Sequence, residues 1–458
     1  MRENAWKKYN EETIKDVFSF CEDYKDFISK CKTERECVNE TIEIVKRQGY
    51  RDLNDYITSQ TPLKPGDKVY ANNYGKTIAL FVIGKEPIEA GLKILGAHID
   101  SPRIDLKQNP VYEDSDIALL DTHYYGGIKK YHWVATPLAM HGVVCKKDGS
   151  VINVNIGEDD NDPVFCISDL LIHLSRELMT KPAAKVVEGE ALNVLCGSIP
   201  LENEEKEAVK ANVLKILKEK YDFEEEDFLS AEIEIVPAGK ARDTGFDRSM
   251  ILGYGHDDRI CAYTSLRAIL DMDIVDRTAC CLLVDKEEVG SNGASGMHSK
   301  FFENTVAEII NLTTVYSDLK LRRALANSVM LSSDVSAAFD PNYPSVFEKK
   351  NAAFFARGIV FNKYTGAGGK SGCNDANPEY IAKLRAIMEK HHVSFQTAEL
   401  GAVDAGGGGT IAYILANLNM QVIDCGVPVL NMHAPYELAS KVDIYETVNG
   451  YKAFLIEA

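Results

Sequence analysis

Four apolar runs in this chain each lead into a side chain able to bind a cation, and that repetition constrains the fold more than any other feature. LKILGA stops at His98, TACCLLV leads to Glu287 and Glu288, VMLSS to Asp334, and VPVLNM to His433. Short apolar runs bounded by polar residues read as fully buried strands. Such strands belong to the interior of a sheet covered on both faces. In open α/β sheets, functional groups collect at the carboxyl ends of the strands. The pattern predicts strands at 77–83, 92–97, 279–284 and 329–332, and an apolar run at 427–430. Helices are predicted between them, at 259–270 and 379–391. Together these specify an α/β class: an α/β/α sandwich on a mostly parallel sheet.

The rest of the chain has a different texture. At 458 residues it exceeds what one core usually holds. The first 60 or so residues read as helices, with Val17, Phe20, Tyr24 and Phe27 at helical spacing, and 61–67 reads as a turn. Between 106 and 238 short alternating stretches appear, at 142–145 and 151–156. Helices are predicted there at 167–179 and 204–221, and the acidic run 222–227 reads as a solvated helix end or loop. We read 106–238 as a domain inserted between two halves, 1–105 and 239–458, of a larger one.

Composition narrows the function classes. The net charge is −18, from 51 basic and 69 acidic residues. An acidic surface repels phosphate backbones, which argues against a nucleic-acid partner. The N-terminal stretch lacks the apolar core of an export signal, and no run approaches the ~18 apolar residues of a membrane span. The eleven cysteines are scattered without a C-x-x-C pair. That usage points to a reducing cytoplasm and not to a disulfide framework.

The candidate ligands each have a plainer reading. In GAHIDSP, Asp100 shares a strand face with His98 and can orient its imidazole; the same pair can be an ordinary hydrogen bond at a strand end. In GHDDR, Asp257 and Asp258 can cap a helix, or one can bridge two cations. In DKEEVGS, one acid can ligate while its neighbour takes a proton from water, or both can lie on a solvated loop. Asp334 and His433 repeat the arrangement of a ligand just past an apolar run. Two histidines and three carboxylates form a nitrogen–oxygen set that suits zinc, or cobalt or manganese. If one carboxylate bridges, each of two ions has a histidine, a further carboxylate and the shared group.

GAHIDSP, GHDDR, DKEEVGS, SSDVSAAFDPNYP and NMHAPYE, in that order, resemble the aspartyl aminopeptidase family of two-zinc exopeptidases over nearly the whole chain. The resemblance implies that His98, Glu288, Asp334 and His433 are terminal metal ligands. It implies Asp257 as the bridge, across a cis peptide to Asp258, with Glu287 as general base and Asp100 as its support. It implies short peptides as substrates, and an inserted dimerisation domain at 106–238 that builds a homo-oligomer, dimers assembled into a dodecamer. His173 is similar to a histidine that reaches a neighbouring subunit's active site, and reads equally as an ordinary helix histidine. Lys363 and Lys370, in NKYTGAGGKSGCND, stand where a basic residue would hold an acidic substrate side chain. This segment and DAGGGGT are richer in glycine than strict acidic selectivity suggests, so an acidic preference stays open.

Three other readings compete. GAGGKSG is a near miss for a phosphate-binding loop, because Tyr364 occupies the first glycine position and Asn377-Pro378 precedes the helix. A non-catalytic shell protein would have to hold clustered acids without a cation, which is costly. A deacylase on the same fold would share the metal set.

Overall fold

The computed structural model describes residues 3–458. They form two compact units. The first holds the residues up to Asp100, together with Ala241–Met432 and Glu437–Ala458. The second holds Ser101–Lys240 and the short segment His433–Tyr436.

The first unit begins with helices. In α1 (Glu11–Lys30), the Asn10 side chain accepts the Thr13 N–H at 2.8 Å, and Val17, Cys21, Tyr24, Phe27 and Ile28 form the buried face. A reciprocal cap between Thr33 and Glu36 starts α2 (Glu34–Arg47). There follow β1 (Arg51–Asp52), α3 (Leu53–Ser59), β2 (Lys68–Asn73), β3 (Thr77–Val82) and β4 (Lys93–His98).

The second unit is an antiparallel sheet of β5 (Arg103–Asp114), β6 (Ile117–Tyr125), β7 (Leu138–Cys145), β8 (Val151–Ile156), β9 (Val194–Gly197) and β10 (Ala231–Pro237), in the order β8-β7-β10-β5-β6-β9. Its helix is α4 (Ala208–Tyr221). The helix predicted at 167–179 does not form. That stretch holds only two 3-10 turns, Ile172–Leu174 and Leu178–Thr180. Leu171, Ile172, Leu174 and Met179 are exposed. A short helix draws most of its stability from burying one face, and of this stretch only Ile167 and Ser175 are buried within the chain.

The first unit resumes with β11 (Arg242–Thr244), β12 (Met250–Gly253), α5 (His256–Leu270), β13 (Ala279–Val284), α6 (Phe301–Thr313), α7 (Asp318–Ala326), β14 (Val329–Ser333) and β15 (Ser336–Ala337). It ends with β16 (Ile359–Asn362), α8 (Pro378–Lys390), β17 (Phe395–Thr397), α9 (Ala412–Ala416), β18 (Gln421–Gly426), β19 (Pro428–Leu430), β20 (Glu437–Ser440) and α10 (Lys441–Glu457). The large sheet runs β1-β2-β3-β13-β4-β14-β18-β16-β17. Its centre, β13-β4-β14-β18, is parallel, while β2-β3, β3-β13 and β18-β16 pair antiparallel. Alternation puts Cys281 and Leu283 of β13 in one core with α1, α5, α8 and α10, and Cys280, Leu282 and Val284 in another with α6 and α9. Two cores on opposite faces make the sandwich. A smaller sheet, β11-β12-β20-β19-β15, completes the unit. No helix among the described residues is long and apolar enough to cross a membrane.

Candidate metal centre

The parallel centre of the sheet aligns the ends of its strands. His98 is the last residue of β4 and sits opposite Val284 of β13. Ser332 of β14 sits opposite Gly96, so Asp334 follows just beyond the same edge. That crowding needs a glycine on the next strand: a Cβ on Gly426 would stand 1.9 Å from the Asp334 carbonyl oxygen. Glu287 and Glu288 occupy a 3-10 turn (Glu287–Val289) shortly after β13, entered through Lys286 at φ 69°. Asp257 lies in the first turn of α5, and its peptide bond to Asp258 is cis.

These side chains converge. His98 Nε2 is 3.2 Å from Asp257 Oδ1 and 3.8 Å from Asp334 Oδ1. His98, Asp257 and Asp334 offer ligand atoms all within 4.8 Å of one another, and so do His98, Glu287 and Glu288. Asp257 and Glu288 also approach within that distance. Asp257 thus lies within that reach of His98, Asp334 and Glu288.

Asp100 supports this cluster with two different groups. Its backbone carbonyl accepts the His98 Nδ1–H at 3.0 Å, which leaves Nε2 for a cation. Its buried carboxylate accepts the N–H of Glu287 at 3.1 Å and of Glu288 at 3.2 Å, and so fixes the turn that carries both acids. Asp258 accepts the His98 N–H at 3.3 Å.

The electrostatics are those of a cation site. Burial raises the Asp258 and Asp334 carboxyls well above the usual range, and the neighbouring aspartates raise them further. Burial opposes charge on His98, but Asp100 and Asp257 outweigh it and hold the imidazole well above its ordinary value. The proton so favoured stands between Nε2 and two aspartates, where a divalent ion fits. One imidazole nitrogen among carboxylate oxygens is a donor set that suits zinc. The preceding residue, His256, is pushed down to about 4 by burial. Its Nε2 donates to the Ile251 carbonyl and its Nδ1 accepts from the Tyr24 hydroxyl at 2.7 Å, which fixes the ring neutral.

His433 follows β19 and belongs to the second unit, where its Nδ1 bonds the Gly127 carbonyl at 2.9 Å. His173 is exposed on the turn Ile172–Leu174. Lys363 and Lys370 both pair with Asp375, Lys370 at 3.0 Å, and Lys370 also lies 3.8 Å over the Tyr364 ring. The loop bearing GAGGKSG joins β16 to α8 without running directly into the helix, and with residues 399–406 it lines a cavity of about 360 Å³. Two groups beside the site escaped sequence reasoning. Glu437 accepts the Asp257 N–H at 2.9 Å, and it was visible only as the last letter of NMHAPYE. Asp424 of β18, buried opposite Ser332, gave no signal beyond a polar residue in an apolar strand.

Residues 27–455 match the Aminopeptidase I zinc metalloprotease (M18) family. A probable M18 family aminopeptidase 1 of Clostridium acetobutylicum is 67% identical over 99% of this chain and 97% of its own. The fold is similar to the crystal structure of an M18 aminopeptidase from Thermotoga maritima, at TM-score 0.95 and 44% identity over the whole of both chains. It is also similar to aminopeptidase I from Clostridium acetobutylicum, at TM-score 0.93 and 63% identity over 99% of each chain.

Proposed function

This chain belongs to the aminopeptidase I (M18) family of zinc metalloproteases and hydrolyses N-terminal residues from peptides; from that premise we propose that it uses two divalent ions, zinc before cobalt or manganese, with Glu287 as general base. The observation that supports the two-ion reading is that Asp257 lies within ligand reach of His98 and Asp334 and also of Glu288. In it, His98 and Asp334 would hold one ion and Glu288 and His433 the second, with Asp257 shared between them. His433 is suited to its part because the bond from Nδ1 to the Gly127 carbonyl fixes the tautomer and orientation of its ring. When bound, the ions supply Lewis-acid polarisation of the scissile carbonyl and a more acidic water.

The residues do the rest. Glu287 stands beside the ligands, half-exposed, on a turn that Asp100 holds through its N–H. It takes a proton from the attacking water and returns it to the leaving amine. The substrate's free N-terminus would sit against one ion and the acids nearby, which is this reading's account of cleavage at the N-terminus. Side-chain preference is open between acidic and broader, because Asp375 already occupies Lys363 and Lys370 and an acidic side chain must compete with it.

The inserted unit is proposed as a dimerisation domain, with dimers building a dodecamer. The exposed Leu171, Ile172 and Leu174 support this reading, in which the exposed His173 among them meets a neighbouring subunit. A cytoplasmic location is supported by eleven cysteines that form no disulfide. The test of the base is Glu287→Gln. The variant should bind zinc as the parent does and lose at least about 100-fold in kcat. A kcat near the parent's would remove Glu287 from this role.

A further inference from the structure

Glu437 opens β20 and is 1% exposed. Burying a carboxylate is costly unless its oxygens accept hydrogen bonds. Oε2 accepts the Asp257 N–H at 2.9 Å. Asp257 stands in the first turn of α5 with non-helical φ −81° and ψ 104°. N–H groups in the first turn of a helix have no partner within it and need an acceptor from outside. Glu437 reaches this one because it pairs with Gly253 at the end of β12, just before the turn into α5. In the other direction along the chain, Glu437 directly follows the segment His433–Tyr436. The Glu437 side chain thus holds the main chain of Asp257 from a strand position that directly follows, in sequence, the segment carrying His433.

We infer that Glu437 is a positioning residue: by accepting the Asp257 N–H it fixes where the Asp257 carboxylate stands, and so sets the affinity for the second divalent ion. The inference rests on the two-ion reading above. The opposing explanation is that Glu437 matters only as negative charge near the cations. Two variants separate them. Glu437→Gln keeps an acceptor oxygen at the same reach and loses the charge. Glu437→Asp keeps the charge and withdraws the acceptor by one methylene.

The experiment uses the full-length protein stripped with a chelator, its fold checked by circular dichroism, and titrated with Zn²⁺ against a chromophoric competitor. The parent should take two ions per chain. Glu437→Gln should match it within about threefold, and Glu437→Asp should bind the second ion at least about tenfold more weakly. Full affinity in Glu437→Asp overturns the inference, and so does a Glu437→Gln as weak as Glu437→Asp. If Glu437→Asp does not fold, Glu437→Gln decides alone: tight binding of both ions supports the acceptor role and loss of the second overturns it. A parent that takes one ion overturns the two-ion reading, and the inference with it.

Discussion

Asp100 shows how one residue near the metal centre divides its work. Its spacing from His98 was enough to expect contact, since residues two apart share a strand face. The structure gives His98 the carbonyl, with the carboxylate 3.4 Å from the same Nδ1, and that carboxylate also accepts the N–H groups of Glu287 and Glu288. Spacing cannot distinguish these, because it fixes a face and not an atom. Asp424 is the opposite case, a residue whose surroundings come entirely from distant strands. It pairs with Ser332 on one side and Asn362 on the other. Neither carboxylate oxygen has a hydrogen-bond partner of ordinary geometry among the described residues. Burial first, and then the charge of Glu287, push its carboxyl up to about 7 against the nearby hydroxyls of Thr410 and Ser332. Unfolded, an aspartate titrates near roughly 4. Between the two values the folded chain holds the extra proton, so this group's contribution to stability is present at low pH and lost as pH rises through about 7. Asp424→Asn should therefore raise the apparent midpoint of the metal-free protein at pH 8 by roughly 2–4 °C, with a smaller gain at pH 5. Equal gains at the two pH values would show that the carboxyl is already ionised.

At the scale of elements, legibility followed burial. β13 and β4 were readable because every residue in them is buried; β13 ends with its apolar run, and β4 one residue later at His98. Helix α8, expected at 379–391 after Asn377-Pro378, begins one residue earlier, with Pro378 in its first turn and Tyr380, Leu384, Ile387 and Met388 as its buried face. The stretch 167–179 misled because its apolar spacing is helical while no partner within the chain covers it. Leu170, Leu171, Ile172 and Leu174 remain 44%, 53%, 70% and 69% exposed. If another copy of the chain covers them, replacing Ile172 and Leu174 together with serine should lower the assembly state seen by sedimentation velocity. Circular dichroism should stay unchanged, because neither side chain supports the fold of one chain. An unchanged sedimentation profile would remove this stretch from any interface.

At the scale of the molecule, the candidate ligands were readable one by one, but their convergence depends on the order of strands. Nothing local in the sequence places β13 between β3 and β4, or β14 between β4 and β18. Nor does it show the chain passing to the second unit for four residues at His433–Tyr436 and returning at Glu437. Glu437 was overlooked for that reason. Its role comes from a strand pairing with β12, and its letter alone reads as a surface acid.

The central claim is an exopeptidase that depends on two ions, and product analysis tests it most directly. A short peptide and its N-acetylated twin would be incubated with metal-free protein and with protein reloaded to a known number of Zn²⁺ per chain, and the products followed by mass spectrometry. The free peptide should lose residues one at a time from its N-terminus, only after zinc returns, with full rate at two ions per chain. The acetylated twin should stay intact. Internal cleavage, equal cleavage of the acetylated peptide, or full activity without metal would contradict the account.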